Sequence, residues 1–150
     1  MTNVSNEPAF TIVDVSGNTL HFDQFAYERS IEKARGDYHD ANWIRCRITL
    51  QASTLKQSVH AALLTTEIKE LAETLRVALL VPGTETTFTS MEPYIDLNVI
   101  RRDRYVDVTA RLDLAPALGP VVEFRFECRP EDIEATLGTI GHVQELFPER

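Results

Sequence analysis

Residues 105–114 read YVDVTARLDL, so that Val106, Val108, Ala110, Leu112 and Leu114 alternate with Asp107, Thr109, Arg111 and Asp113. Successive side chains of a β-strand point to opposite faces, so an alternation over ten residues describes a strand with one buried face and one solvated face. The same period recurs on either side. Residues 94–100 set Ile95, Leu97 and Val99 against Asp96 and Asn98, and residues 121–128 set Val122, Phe124, Phe126 and Cys128 against Glu123, Arg125 and Glu127. The links between them, residues 101–104 and 116–120, are too short for the crossover that parallel neighbours require. An antiparallel meander of three strands follows, preceded by a short strand over residues 86–89.

Upstream the pattern is similar. Residues 10–15 and 19–23 flank Ser16-Gly17-Asn18, a turn whose Gly and Asn tolerate positive φ, and form a hairpin whose second strand continues over residues 24–31. Residues 32–41 (EKARGDYHDA) are polar and read as a loop. Residues 42–50 alternate again, with Ile44, Cys46, Ile48 and Leu50 opposite Arg45, Arg47 and Thr49, and residues 58–64 pair back through a turn at 53–56. Two segments have helical spacing. Ile68, Leu71, Ala72, Leu75, Ala78 and Leu79 make an apolar stripe, with Thr65 or Thr66 as N-cap and Pro82-Gly83 as the stop. Residues 130–146 start with Pro130 in the first turn, bury Ile133, Leu137 and Ile140, and stop before Pro148. Gly138 and Gly141 in that stripe anticipate a close helix–sheet approach. The fold class is therefore α+β: mostly antiparallel sheet, as one sheet or two packed sheets, with two amphipathic helices. The chain reads as one domain over residues 1–150, with residues 1–8 a disordered polar tail.

Composition narrows the function classes. The chain carries 15 Lys plus Arg against 23 Asp plus Glu, a formal net charge of −8. Nucleic-acid binding depends on cations neutralising phosphates, so this balance argues against it. An acidic protein is either merely soluble or steered toward a basic partner. No apolar run reaches the roughly 18 residues that a bilayer demands. The polar start lacks the basic and apolar regions of a secretory signal, so a cytoplasmic location with reduced thiols is expected. Cys46 and Cys128 sit on apolar strand faces, where a free cysteine acts as a small hydrophobe.

Few constellations carry chemistry. The four histidines, His21, His39, His60 and His142, are scattered, and no spaced metal-ligand motif, phosphate-binding glycine loop or nucleophile elbow is present. Neither a cofactor nor a metal is expected. The most reactive-looking stretch is Asp37 to Trp43, where His39 and Asp40 invite an acid–base or small-ligand reading. Neighbours in sequence seldom converge on one point, however, and nothing supplies a matching nucleophile or electrostatic hole, so a polar loop leading into a strand is the plainer account. The outward charges of the meander are the second feature. They either solvate the sheet or present a flat acidic surface to a basic protein.

The order of elements also carries a resemblance. Asp40-Ala41-Asn42-Trp43-Ile44, followed by an alternating strand, is similar to the DANWL-type strand start of WapI-like proteins, with Ile44 in place of Leu. The Leu- and Glu-rich helix over residues 66–80, the segment 88–97 with Glu92-Pro93, and a last helix closing on Phe147-Pro148 extend the likeness from about Phe25 onward. The family's prototype is the immunity partner of a contact-dependent toxin whose C-terminal domain cleaves tRNA. The resemblance implies a cytoplasmic, non-enzymatic protein-binding domain, an inhibitor that occludes a basic toxin domain. Asp40, Asn42, Trp43, Tyr94, Asp96, Asp107, Asp113 and Glu123 are the candidate contact residues, with Trp43 and Tyr94 as aromatic anchors. A structural or homo-oligomerising domain is the alternative, and an enzyme or ligand binder centred on His39 and Asp40 a further one.

Overall fold

The computed structural model describes residues 7–115 and 118–150, so most of the expected tail and positions 116 and 117 of the 116–120 link lie outside the described residues. Eight strands form two four-stranded antiparallel sheets. The first contains β1 (Phe10–Val13), β2 (Thr19–Tyr27), β3 (Trp43–Ala52) and β4 (Leu55–Leu64) in that order. The second contains β5 (Glu85–Thr89), β6 (Ile95–Arg101), β7 (Val106–Asp113) and β8 (Val121–Cys128), again in chain order. Between the sheets in sequence lies α3 (Thr65–Leu80), and the second sheet is followed by α4 (Pro130–Leu146). The fold class is thus α+β with two sheets.

The turns explain the register. Asp14 accepts backbone N–H bonds from Ser16 (2.9 Å) and Asn18 (2.8 Å) on Oδ1 and the Asn18 side-chain amide on Oδ2 (2.8 Å). This pins the β1–β2 turn around Gly17, whose φ of 84° suits glycine. Strands β3 and β4 pair without interruption from Trp43↔Leu64 to Ala52↔Leu55. That register puts Ile44, Cys46 and Ile48 on the same face as Leu63, Ala61 and Val59, so one face becomes continuous apolar surface.

One core joins these faces to the helices. Phe10 stacks on Phe22 at 4.4 Å between ring centres and on Phe25 at 5.6 Å. Ile68, Leu71, Leu75 and Ala78 of α3 and Ile133, Ile140 and Val143 of α4 are fully buried in the same cluster as Val99, Val108 and Phe126. Burying each large aliphatic contributes roughly 1.5–3 kcal/mol, which makes this cluster the main source of stability. Helix α4 also shields β1, where Thr136 donates to the Thr11 carbonyl at 2.7 Å. The Val15 N–H, bonded to the Glu127 carbonyl at 2.9 Å, ties the two sheets together.

Several sequence expectations shift. The polar stretch 32–41, read as a loop, lies largely in two short helices, α1 (Ile31–Ala34) and α2 (Tyr38–Asn42). Ser30 and Asp37 cap them by accepting the Lys33 (3.3 Å) and Asp40 (2.9 Å) N–H groups, and Arg35 and Gly36 turn the chain between them at φ 50° and 80°. Capping chemistry outweighed polarity there. Helix α3 is capped from Leu64, not Thr65 or Thr66: Glu67 Oε1 accepts the Leu64 N–H at 2.9 Å, while Thr65 donates to Asn42 at 3.1 Å. Gly138 faces solvent, and a Cβ at Gly138 or Gly141 would meet nothing within 4 Å, so neither marks a close helix–sheet approach. Strand β2 ends at Tyr27 and bulges between Asp23 and Ala26, with Gln24 at φ 57°.

Candidate interaction surface

The second sheet's outer face is built in rows by its register. Asp96, Arg111 and Glu123 are cross-strand neighbours, with Thr89 beyond Asp96 on β5. The next row holds Thr87, Asn98, Thr109 and Arg125, and the row after it Glu85, Ile100, Asp107 and Glu127. On the other side of Asp96, the Asp113 N–H donates to the Tyr94 carbonyl at 3.0 Å, and Asp113 pairs with Val121. Four of the candidate residues, Tyr94, Asp96, Asp113 and Glu123, therefore share one half of this face.

The two ends of the face differ in how far their charges are answered. Asp107 is buried, its carboxylate accepting Arg102 Nε at 3.0 Å and lying 3.3 Å from Arg125 Nη2. The alternation assigned it to the solvated side; two arginine stems roof it over, so it holds the sheet instead of facing a partner. At the Tyr94 end, Asp96, Asp113 and Glu123 form no ion pair among the described residues. One oxygen each of Asp96, Asn98 and Asp113 is shut off from solvent with no donor among the described residues. Buried acceptors are nearly always bonded, so three such oxygens on one face call for an explanation. A shallow depression of about 300 Å³ runs over Thr87, Thr89, Asp96, Asn98, Arg111 and Glu123. Met91 in the β5–β6 link, Leu118 in the β7–β8 link and Val121 at the start of β8 are exposed at the same end of the sheet.

Tyr94 also faces the first sheet, where a cavity of about 390 Å³ is lined by Gln24, Glu28, Arg45, His60, Glu92 and Tyr94. The β2 bulge supplies one wall. Partial burial, with Glu28 and Glu67 nearby, pushes the Glu92 carboxyl above its ordinary value. Glu67 is itself buried and holds this corner: its second oxygen accepts the Met91 N–H at 2.6 Å, tying the β5–β6 link to the start of α3. Sequence alone does not mark Glu28 and Glu92 as site residues. Nothing in the Phe22–Glu28 stretch announces a bulge, although Glu92-Pro93 marks the link.

Asp40, Asn42 and Trp43 lie elsewhere. Asn42 is fully buried and cannot touch a partner. Its side chain accepts the Arg150 N–H at 2.7 Å and donates to the Arg150 and Tyr38 carbonyls, both at 2.9 Å. The Arg150 guanidinium sits 3.7 Å over the Tyr27 ring and donates to the Ala41 carbonyl from Nε (3.0 Å) and Nη2 (2.8 Å). Phe147 packs edge-on to Tyr27 at 5.4 Å. The Asp-Ala-Asn-Trp motif and the closing Phe-Pro thus meet in one joint, with a structural role that neither motif announces alone. Asp40 is engaged by Arg29 at 3.2 Å, His39 is exposed, and Trp43 is half-buried at the start of β3.

Burial pushes the Cys46 and Cys128 thiols up to about 12, which keeps them protonated and poorly nucleophilic at neutral pH. Among the described residues no group of three or more His, Cys, Asp or Glu could hold a metal ion, and no helix is long and apolar enough to cross a membrane. What remains is a broad face whose Asp96, Asp113 and Glu123 carboxylates form no ion pair among the described residues, at the end of the sheet where Tyr94 turns toward the first sheet.

The match to known proteins is to a family. No curated protein and no solved structure matches the chain. The model of the immunity protein WapI-like family does match, over residues 11–148, which takes in all of both sheets but Phe10, together with α3, α4 and the Asp-Ala-Asn-Trp and Phe-Pro motifs. The chain belongs to the WapI-like immunity protein family.

Proposed function

We propose that the chain is a non-enzymatic immunity-type inhibitor that covers a basic toxin domain, of the nuclease kind, with the outer face of its second sheet around Tyr94. The observation that carries this reading is the cluster of Asp96, Asp113 and Glu123, none in an ion pair among the described residues, beside an aromatic and exposed Met91 and Val121. An aromatic centre with a charged rim is the composition of an interface hot spot. Lysines and arginines of the partner supply the donors that these carboxylates lack, and the net charge of −8 speeds the encounter. In this reading the chain acts in the cytoplasm as a protein binder. It contacts neither nucleic acid nor membrane, and it uses no cofactor.

The test is co-expression with a basic nuclease toxin domain sought among the neighbouring genes, followed by titration of the purified pair at low and high salt. Growth should be rescued, and affinity should fall steeply between roughly 50 and 500 mM salt, because exposed charges are screened over about 10 Å at 0.1 M. Reversing Asp96→Lys together with Glu123→Lys should abolish rescue while the fold survives. Affinity indifferent to both salt and charge reversal would overturn the reading.

A further inference from the structure

A groove of about 570 Å³ lies between the last turns of α3 and the first turns of α4, far from the Tyr94 face. Its walls are Leu79, Leu80 and Leu137, and Arg101 lines it from β6. The fold forces Arg101 into this place. It follows Ile95, Leu97 and Val99 on the inward side of β6, and its N–H donates to the Thr84 carbonyl at 2.9 Å, just past the end of α3. Its Nε and Nη1 are shut off from solvent and find no acceptor among the described residues. The neighbouring Arg76 is already paired with Glu73 at 2.7 Å. Glu131 and Glu134 also line the groove, but neither forms an ion pair with Arg101.

An under-compensated guanidinium beside aliphatic walls has the chemistry of a site for an apolar anion, since carboxylates are natural partners of arginine. Leu80 is 72% exposed and Val81 48%, so apolar surface is left uncovered there. The Glu131 and Glu134 carboxylates repel a doubly charged group more than a singly charged one, which favours a carboxylate over a phosphate. The volume suits a small ligand. We propose that this groove binds an aliphatic monocarboxylate, its tail on Leu79, Leu80 and Leu137 and its carboxylate at Arg101. Arg101 and Ile95 close opposite ends of β6, about 20 Å apart at roughly 3.3 Å per residue, so this site stands or falls independently of toxin binding.

The experiment titrates the isotopically labelled full chain with octanoate, octan-1-ol and octylammonium, following backbone amide shifts. Octanoate should saturate shifts confined to residues 76–81, 101 and 130–137, binding at least about tenfold tighter than octanol, with octylammonium the weakest. Arg101→Met, which keeps the stem, should lower octanoate affinity to that of octanol. Equal affinity for acid and alcohol, shifts centred elsewhere, or no saturation would overturn the proposal, and the comparison among the three ligands on the unaltered chain needs no variant. Binding of N-acetyl-Leu-Leu through its free carboxylate without binding of octanoate would assign the groove to a peptide terminus and equally overturn it.

Discussion

The two sheets are alike inside and opposite outside. Both bury alternating aliphatic and aromatic side chains against the same helices. On the outer face of the first sheet, polar groups answer one another. Arg47 reaches Asp23 through two bonds (3.0 and 2.7 Å), Thr49 bonds Ser58 at 2.9 Å, and His21 bonds Thr11 at 2.6 Å. With Arg45, Lys56 and His60 added, that face leans positive although the chain as a whole is strongly acidic. The second sheet closes its Asp107 end with ion pairs and leaves the carboxylates of its Tyr94 end outside any ion pair among the described residues. Whether a charge is answered within the chain separates a face that stabilises the fold from one whose carboxylates stay outside any ion pair among the described residues, and net charge does not make that distinction.

The contrast is sharpest where substitutions should divide stability from affinity. Asn42→Ala, at the closed far end of the first sheet, should cost about 3 kcal/mol by stranding the Arg150 and Thr65 donors. It should lower the melting temperature by roughly 6–12 °C, with toxin affinity per folded molecule unchanged. Tyr94→Ala should do the reverse: an affinity loss of about 2 kcal/mol, near thirtyfold, by calorimetry, with a melting shift of only a few degrees. Asp23→Asn should cost about 1.5 kcal/mol in denaturant unfolding and leave binding untouched. A first-sheet variant that weakens binding as much as Tyr94→Ala would break the contrast.

The smallest effect concerns pH. The Glu92 carboxyl titrates above its unfolded value near 4.5, so the native state holds its proton to a higher pH than the unfolded chain does. Stability carried by the protonated form is complete below that value and is lost as pH rises through the native pKa. Glu92→Gln should remove this decline, so that the urea midpoint at about pH 7 rises relative to the midpoint at about pH 4 when compared with the parent. An unchanged difference between the two midpoints would mean that the crowding of Glu28, Glu67 and Glu92 carries no energetic weight.

Alternation made most of the fold legible. The Val106, Val108, Ala110 and Leu112 face is buried as its period demanded, and the short links fixed antiparallel pairing. Period cannot tell how one sheet leans on another, so the cavity between Gln24 and Tyr94 had no signal. The candidate face was half legible for the same reason. Asp96, Asp113 and Glu123 are placed by parity alone, whereas the closure over Asp107 depends on where the Arg102 and Arg125 side chains reach. Asn42 misled because a motif is a pattern of residues without depth, and the partner that buries it is 108 positions away.

That separation bears on how the chain folds. Closing a loop of such length costs entropy before any contact rewards it, whereas every strand pairing here joins neighbours in the chain. The knot of Asn42, Arg150 and Tyr27 should therefore tighten after the folding barrier is crossed, as a latch that slows escape from the native state. Its loss would show in the unfolding arm of a chevron and leave the folding arm nearly still.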